Sequence, residues 1–207
     1  MQIMRAILGF ACLAFIGSAS AQEFEIKRDD VAVLALSCGS GGHVVLALPG
    51  AKPGTQPKTK SLKYLCSQIA KNSSDIQVIS LSWSGAEDVS AAVQYATDKG
   101  AQKVSLLGHS RGAEMAARYA SSRPDGEFNT LVLLSSADDQ GIPLTKTKKL
   151  FVYNKGDSYA RGAPISFEKS AEPKQMMSLG GSGHGFKALK AERPNLVNDI
   201  IEVLERE

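Results

Sequence analysis

Lys103-Val104-Ser105-Leu106-Leu107-Gly108-His109-Ser110-Arg111-Gly112 is the stretch whose reading decides the fold. Its first five residues are a short β-branched and apolar run, which predicts a strand over 103–107. The following residues, Ala113 to Ser121, are small and helix-favouring and predict a helix. A strand, a sharp turn and a helix follow one another with a serine between two glycines at the turn. There the serine is held in a strained backbone conformation with its hydroxyl raised above the sheet edge. The glycines let helix and strand approach closely.

Outward from this point, apolar runs alternate with helical periodicity. Val31 to Leu36 and Val44 to Leu48 flank Ser37-Cys38-Gly39-Ser40-Gly41-Gly42, which predicts two antiparallel strands joined by a glycine-rich turn. Further strands are predicted at Ile76 to Ser82, Thr130 to Ser135, Leu150 to Asn154 and Gln175 to Leu179. Helices are predicted at Ser61 to Lys71, with Leu62, Leu65, Cys66 and Ile69 on one face, at Ala86 to Lys99, and at about Pro194 to Leu204. Ser84 with Glu87 three residues on predicts a capping box for the second of these. An antiparallel N-terminal pair followed by βα units gives a mostly parallel sheet with helices on both faces, an α/β class.

The Gly-His-Ser-Arg-Gly turn in this setting resembles the nucleophile elbow of the α/β-hydrolase family, and the resemblance covers almost all of residues 22–207. It implies a serine hydrolase with Ser110 as nucleophile. A serine hydroxyl needs a histidine to take its proton, and the histidine needs a carboxylate to fix its tautomer. In the family order the base is His184, in Gly183-His184-Gly185-Phe186 between the last strand and the last helix. His109 lies inside the elbow and packs beneath it, and His43 opens a strand, so neither suits the role. Asp157, in Lys155-Gly156-Asp157, occupies the usual place of the acid; Asp138 and Asp139, after the preceding strand, are the competing positions.

An oxyanion hole needs two backbone N–H groups. The resemblance supplies Arg111, after the nucleophile, and Ala51 in Pro49-Gly50-Ala51, where such families commonly carry His-Gly-x and this chain has proline in place of histidine. Trp83, Tyr159 and Phe186 lie at ends of elements bordering the site and are substrate-lining positions in this reading, although aromatic residues at strand ends also serve as core edge. About fourteen residues separate Ser135 from Leu150, where relatives insert a helical cap. A lidless site favours short-chain or soluble esters over long lipids. The expected activity is therefore hydrolysis of a small-molecule carboxylic ester with no cofactor. Amidase, thioesterase or acyltransferase chemistry uses the same atoms, and a non-catalytic binding module shares such folds.

Met1 to Ala21 carries one charge, Arg5, an apolar run from Ala6 to Gly17, and Ala19-Ser20-Ala21 at its end. This is the pattern of a secretory signal peptide cleaved after Ala21, so export, secreted or periplasmic, without a stable membrane anchor is expected. Residues 22–207 then suffice for a single domain. With 24 basic and 21 acidic residues the charge is nearly balanced. Local lysine excess at Lys52, Lys58, Lys60 and Lys63, and at Lys146, Lys148 and Lys149, lacks interleaved aromatics and reads as a solvated basic surface, with no nucleic-acid partner. Cys38 and Cys66 would remain after cleavage. An oxidising compartment permits a disulfide between them, while burial of Cys66 on a helix face explains that residue equally well. With His43 dispersed, no metal-ligand spacing is present. Oligomeric state is not readable from the sequence.

Overall fold

The computed structural model describes residues 21–52 and 54–206, so the leader expected at 1–21 lies, apart from Ala21, outside the described residues. Eight strands form one sheet: β1 (Gln22–Arg28), β2 (Val31–Cys38), β3 (His43–Leu48), β4 (Ile76–Leu81), β5 (Lys103–His109), β6 (Thr130–Leu134), β7 (Lys148–Asn154) and β8 (Lys174–Leu179). The helices are α1 (Lys63–Asn72), α2 (Ala86–Asp98), α3 (Arg111–Ser121), α4 (Gly162–Lys169), α5 (Phe186–Glu192) and α6 (Leu196–Glu205). The strand order is β1-β2-β4-β3-β5-β6-β7-β8, parallel from β4 to β8.

The antiparallel pair at the N-terminus is β1 with β2, and this corrects the pairing expected of 31–36 with 44–48. Those two runs do not touch as neighbours, because β4 lies between them, antiparallel to β2 and parallel to β3. The glycine-rich segment therefore crosses a strand instead of closing a hairpin. Gly41 makes the crossing possible, since a Cβ on it would lie 2.0 Å from the backbone of Asp75.

Helices cover both faces because the parallel strands are apolar on both. Val44, Leu46 and Leu48 of β3 face the core shared with α2 and α3, whereas Val45 and Ala47 face the core shared with α1 and α6. The alternation repeats along β6 and β7, as side chains in a strand must point to opposite sides. Ala113, Ala116, Ala117 and Ala120 of α3 are all buried on the first face, where small side chains let the helix sit close to the sheet.

Cys38 of β2 and Cys66 of α1 are joined in a disulfide, with Cα atoms 5.7 Å apart. The capping box at α2 is not formed. Gly85 is the residue before the helix, and Ser84 donates from both its backbone N–H and its hydroxyl to Asp88 Oδ2, at 2.5 and 2.6 Å. The other oxygen of Asp88 pairs with Arg28 of β1 at 2.7 Å. The connection between β6 and β7, residues 135–147, contains no helix, and its Ile142 and Leu144 are buried in the core.

Candidate active site

The turn between β5 and α3 has the backbone its sequence demands. Ser110 sits at φ 54° and ψ −125°, the left-handed side of the map that a side chain rarely occupies. Two close approaches hold it there. A Cβ on Gly108 would lie 2.3 Å from Ala113 Cα, and one on Gly112 would lie 1.9 Å from the Leu48 carbonyl oxygen. Ser110 N–H is fixed in turn to the carbonyl of Leu134 at 2.8 Å.

The three residues expected to act together are together. His184 Nε2 lies 3.0 Å from Ser110 Oγ, and His184 Nδ1 lies 2.8 Å from Asp157 Oδ2. Asp157 follows β7, and its other oxygen accepts from the backbone N–H of Tyr159 at 3.0 Å. The carboxylate is 2% exposed and the imidazole 38%, so the acid is sheltered while the base presents an edge to the surface. An ionised carboxylate on Nδ1 fixes the tautomer that carries its proton there and leaves Nε2 free to accept one from Ser110. Asp138 and Asp139 are engaged elsewhere, with Arg118 and with Gln140. Asn154 Nδ2 donates to the Gly183 carbonyl at 2.7 Å and so steadies the His184 loop from the end of β7.

The loop after β3 passes directly beside the serine. A Cβ on Gly50 would lie 2.8 Å from Ser110 Cβ, so the glycine lets Ala51 and its neighbours run against the turn. Trp83 Nε1–H donates to the Pro49 carbonyl at 3.1 Å, and the Arg111 guanidinium donates to the Lys52 carbonyl at 2.9 Å. Both bonds pin this loop, and sequence reasoning missed the bonds although it named the loop. Arg111 also opens α3, where the first N–H groups have no carbonyl within their own helix.

Trp83 stands at the core edge, the other reading its place at a strand end allowed. It is buried, and the contact that matters is its bond to the loop. Phe186 does line a cavity beside His184. Tyr159 packs edge-on against the His184 ring at 4.7 Å, and its hydroxyl donates to Glu114 at 2.6 Å. Burial, and then this bond, push the Tyr159 phenol up to about 12, so it stays neutral. His109 does pack within the turn, its ring 5.8 Å from that of His184 and its Nε2 buried with no hydrogen-bond partner among the described residues. Burial, with the neighbouring His184 adding to it, lowers its pKa to about 4. His43 lies at the other end of the sheet, bonded to Ser105. Among the described residues no group of three His, Cys, Asp or Glu is arranged to hold a metal ion, and no helix is long and apolar enough to cross a membrane.

The architecture matches solved structures over most of its length. A thermostable carboxylesterase cloned from a metagenomic library superposes with a TM-score of 0.74 at 15% identity, covering 91% of this chain and 90% of its own. The fold is that of the α/β-hydrolases. An arylesterase gives 0.74 at 13% identity over 89% of this chain and 83% of its own. A hyperthermophilic esterase from the archaeon Pyrobaculum calidifontis gives 0.72 at 14% over 90% and 85%. No family model matches the chain, and no curated protein matches it by sequence. In this α/β-hydrolase fold the elbow serine stands at the C-terminal end of β5, beside the strand ends from which Asp157 and His184 also emerge.

Proposed function

We propose that the protein is a serine hydrolase that cleaves carboxylic esters through Ser110, His184 and Asp157. The observation that carries this reading is the unbroken hydrogen-bond relay from Ser110 Oγ through His184 to Asp157, mounted on a strained turn. Ser110 Oγ attacks the carbonyl carbon while His184 Nε2 takes its proton, and Asp157 stabilises the imidazolium that forms. The backbone N–H groups of Arg111 and Ala51 receive the oxyanion. As the tetrahedral intermediate collapses, His184 returns the proton to the departing alkoxide, leaving an acyl group on Ser110. Water then repeats the sequence, with His184 again as base, and releases the acid.

The site is lidless in this reading, supported by a β6–β7 connection that packs into the core instead of folding over Ser110. Short-chain or soluble esters are the substrates. Turnover of p-nitrophenyl esters tests both points. kcat/KM is highest for acetate or butyrate and falls by laurate, and Ser110→Ala lowers kcat by on the order of 10⁶. Full activity in Ser110→Ala contradicts the hydrolase, and a rate that climbs to laurate contradicts the lidless site. The protein is exported in the same reading, which the Cys38–Cys66 disulfide supports, since such bonds persist in oxidising compartments.

A further inference from the structure

Beside His184 and Gly50 the surface opens into a cavity of about 550 Å³. Leu62 and Tyr64, at the start of α1, form one wall, and Phe186, at the start of α5, forms another, with the two rings 6.3 Å apart. These groups offer contact to methylenes. The same cavity is also lined by Lys187 and Lys190, three residues apart on α5, and by no carboxylate among the described residues. Lys190 Nζ lies 4.1 Å from the centroid of the Tyr64 ring and donates to the Tyr64 hydroxyl. Among the described residues no acid pairs with Lys187 or Lys190. Nor does one pair with Lys63, which stands between the lining residues Leu62 and Tyr64. Of Lys52, Lys58, Lys60 and Lys63, Lys60 alone has an acidic partner among the described residues, Glu23 at 2.9 Å.

An ammonium that meets a ring face and a hydroxyl but no carboxylate gains most from an anion, because charge-assisted hydrogen bonds are the stronger ones. An apolar wall that ends in unpaired cations selects a ligand with the complementary order of parts. We propose that this cavity binds an ester whose apolar segment ends in an anionic group, with Lys190 and Lys187 receiving the anion. The inference rests on the hydrolase reading and gives it a substrate class. It also gives a reason for an apolar cavity at a site without a lid, since a segment of a few methylenes ending in charge remains soluble. Lysine is a compact point charge and does not by itself choose among carboxylate, sulfate and phosphate, so the anion is specified by charge.

Alkyl esters matched in length test this. Monomethyl adipate is compared with methyl hexanoate, which places the anion on the acyl side, and 6-acetoxyhexanoate with hexyl acetate, which places it on the alcohol side. Acid release is followed by titration at constant pH. The anionic member of at least one pair is turned over with kcat/KM about tenfold higher, and the preference shrinks as salt is raised. Lys187→Gln with Lys190→Gln lowers kcat/KM for the preferred anionic ester about tenfold more than for its neutral partner. Equal rates within both pairs, or a preference that survives the double substitution, overturns the inference while a fluorophosphonate-reactive Ser110 leaves the hydrolase standing. An unreactive Ser110 with no turnover of any of the four esters overturns both.

Discussion

A Cβ on Gly112 would lie 1.9 Å from the carbonyl oxygen of Leu48, so the first turn of α3 rests directly on the end of β3. This contact sets the height of Ser110 over the sheet and brings the loop after β3 against it. Backbone meets backbone there, and nothing flexible is available to yield. Gly112→Ala is therefore expected to cost about 1–3 kcal/mol of stability from overpacking. It is also expected to lower kcat on the order of 10²-fold by displacing the serine. Urea denaturation and ester turnover measure the two, and an active, fully stable variant would contradict the close approach.

The acid is decided by a comparison of isosteric substitutions. Asp157→Asn keeps the shape beside His184 Nδ1 and removes the charge, so kcat is expected to fall about 10⁴-fold. Asp138→Asn loosens an ion pair with Arg118 at 3.8 Å, and Asp139→Asn alters a contact with Gln140, so neither is expected to approach that loss. A mild Asp157→Asn beside a crippled Asp138→Asn or Asp139→Asn would reassign the third residue.

The Cys38–Cys66 bond closes a loop of sequence separation 28 between an N-terminal strand and α1. In the chain-entropy account such a closure stabilises the fold by about 3.5 kcal/mol. Paired Cys38→Ala and Cys66→Ala substitutions are expected to lower the unfolding free energy by about that amount, and a reducing agent should act on the wild type but not on the pair. An unchanged denaturation midpoint would remove the bond from the stability account.

Stability is expected to depend on pH through the two depressed histidines. His109 and His43 are both lowered from 6.5 to about 4, His109 by burial and then by His184, His43 by burial and then by Lys103 and Lys148. Between those values the unfolded chain holds protons that the folded protein does not. Unfolding then takes up protons, so stability falls as pH drops from about 6.5 toward about 4. His43→Gln with His109→Gln is expected to flatten the dependence of the urea midpoint over that window. An unaltered slope would show that neither ring carries it.

The elbow, Asp157 and His184 were legible because each is announced locally, by glycines around a serine and by polar residues placed just after apolar strands. The pairing of β2 was not, because β4, which follows both strands in the chain, is inserted between β2 and β3 and leaves no mark on either run. Strand β1, Gln-Glu-Phe-Glu-Ile-Lys-Arg, is a polar edge with one buried residue, Ile26, and so lacked an apolar run. α4 opens with a glycine and a proline, which propensity disfavours in a helix, although proline in a first turn loses no helical bond. The bonds from Trp83 and Arg111 to the loop after β3 join groups 34 and 59 residues apart, a distance over which sequence pattern is silent.

The central claim is that Ser110 is a nucleophile activated by His184, and covalent labelling reads it without knowledge of the substrate. A fluorophosphonate probe incubated with the protein, followed by peptide mass mapping, is expected to place one adduct on Ser110. The adduct should be lost in Ser110→Ala and nearly lost in His184→Ala, since the hydroxyl is a weak nucleophile without its base. An unlabelled wild type, or labelling that persists in Ser110→Ala, would contradict the claim.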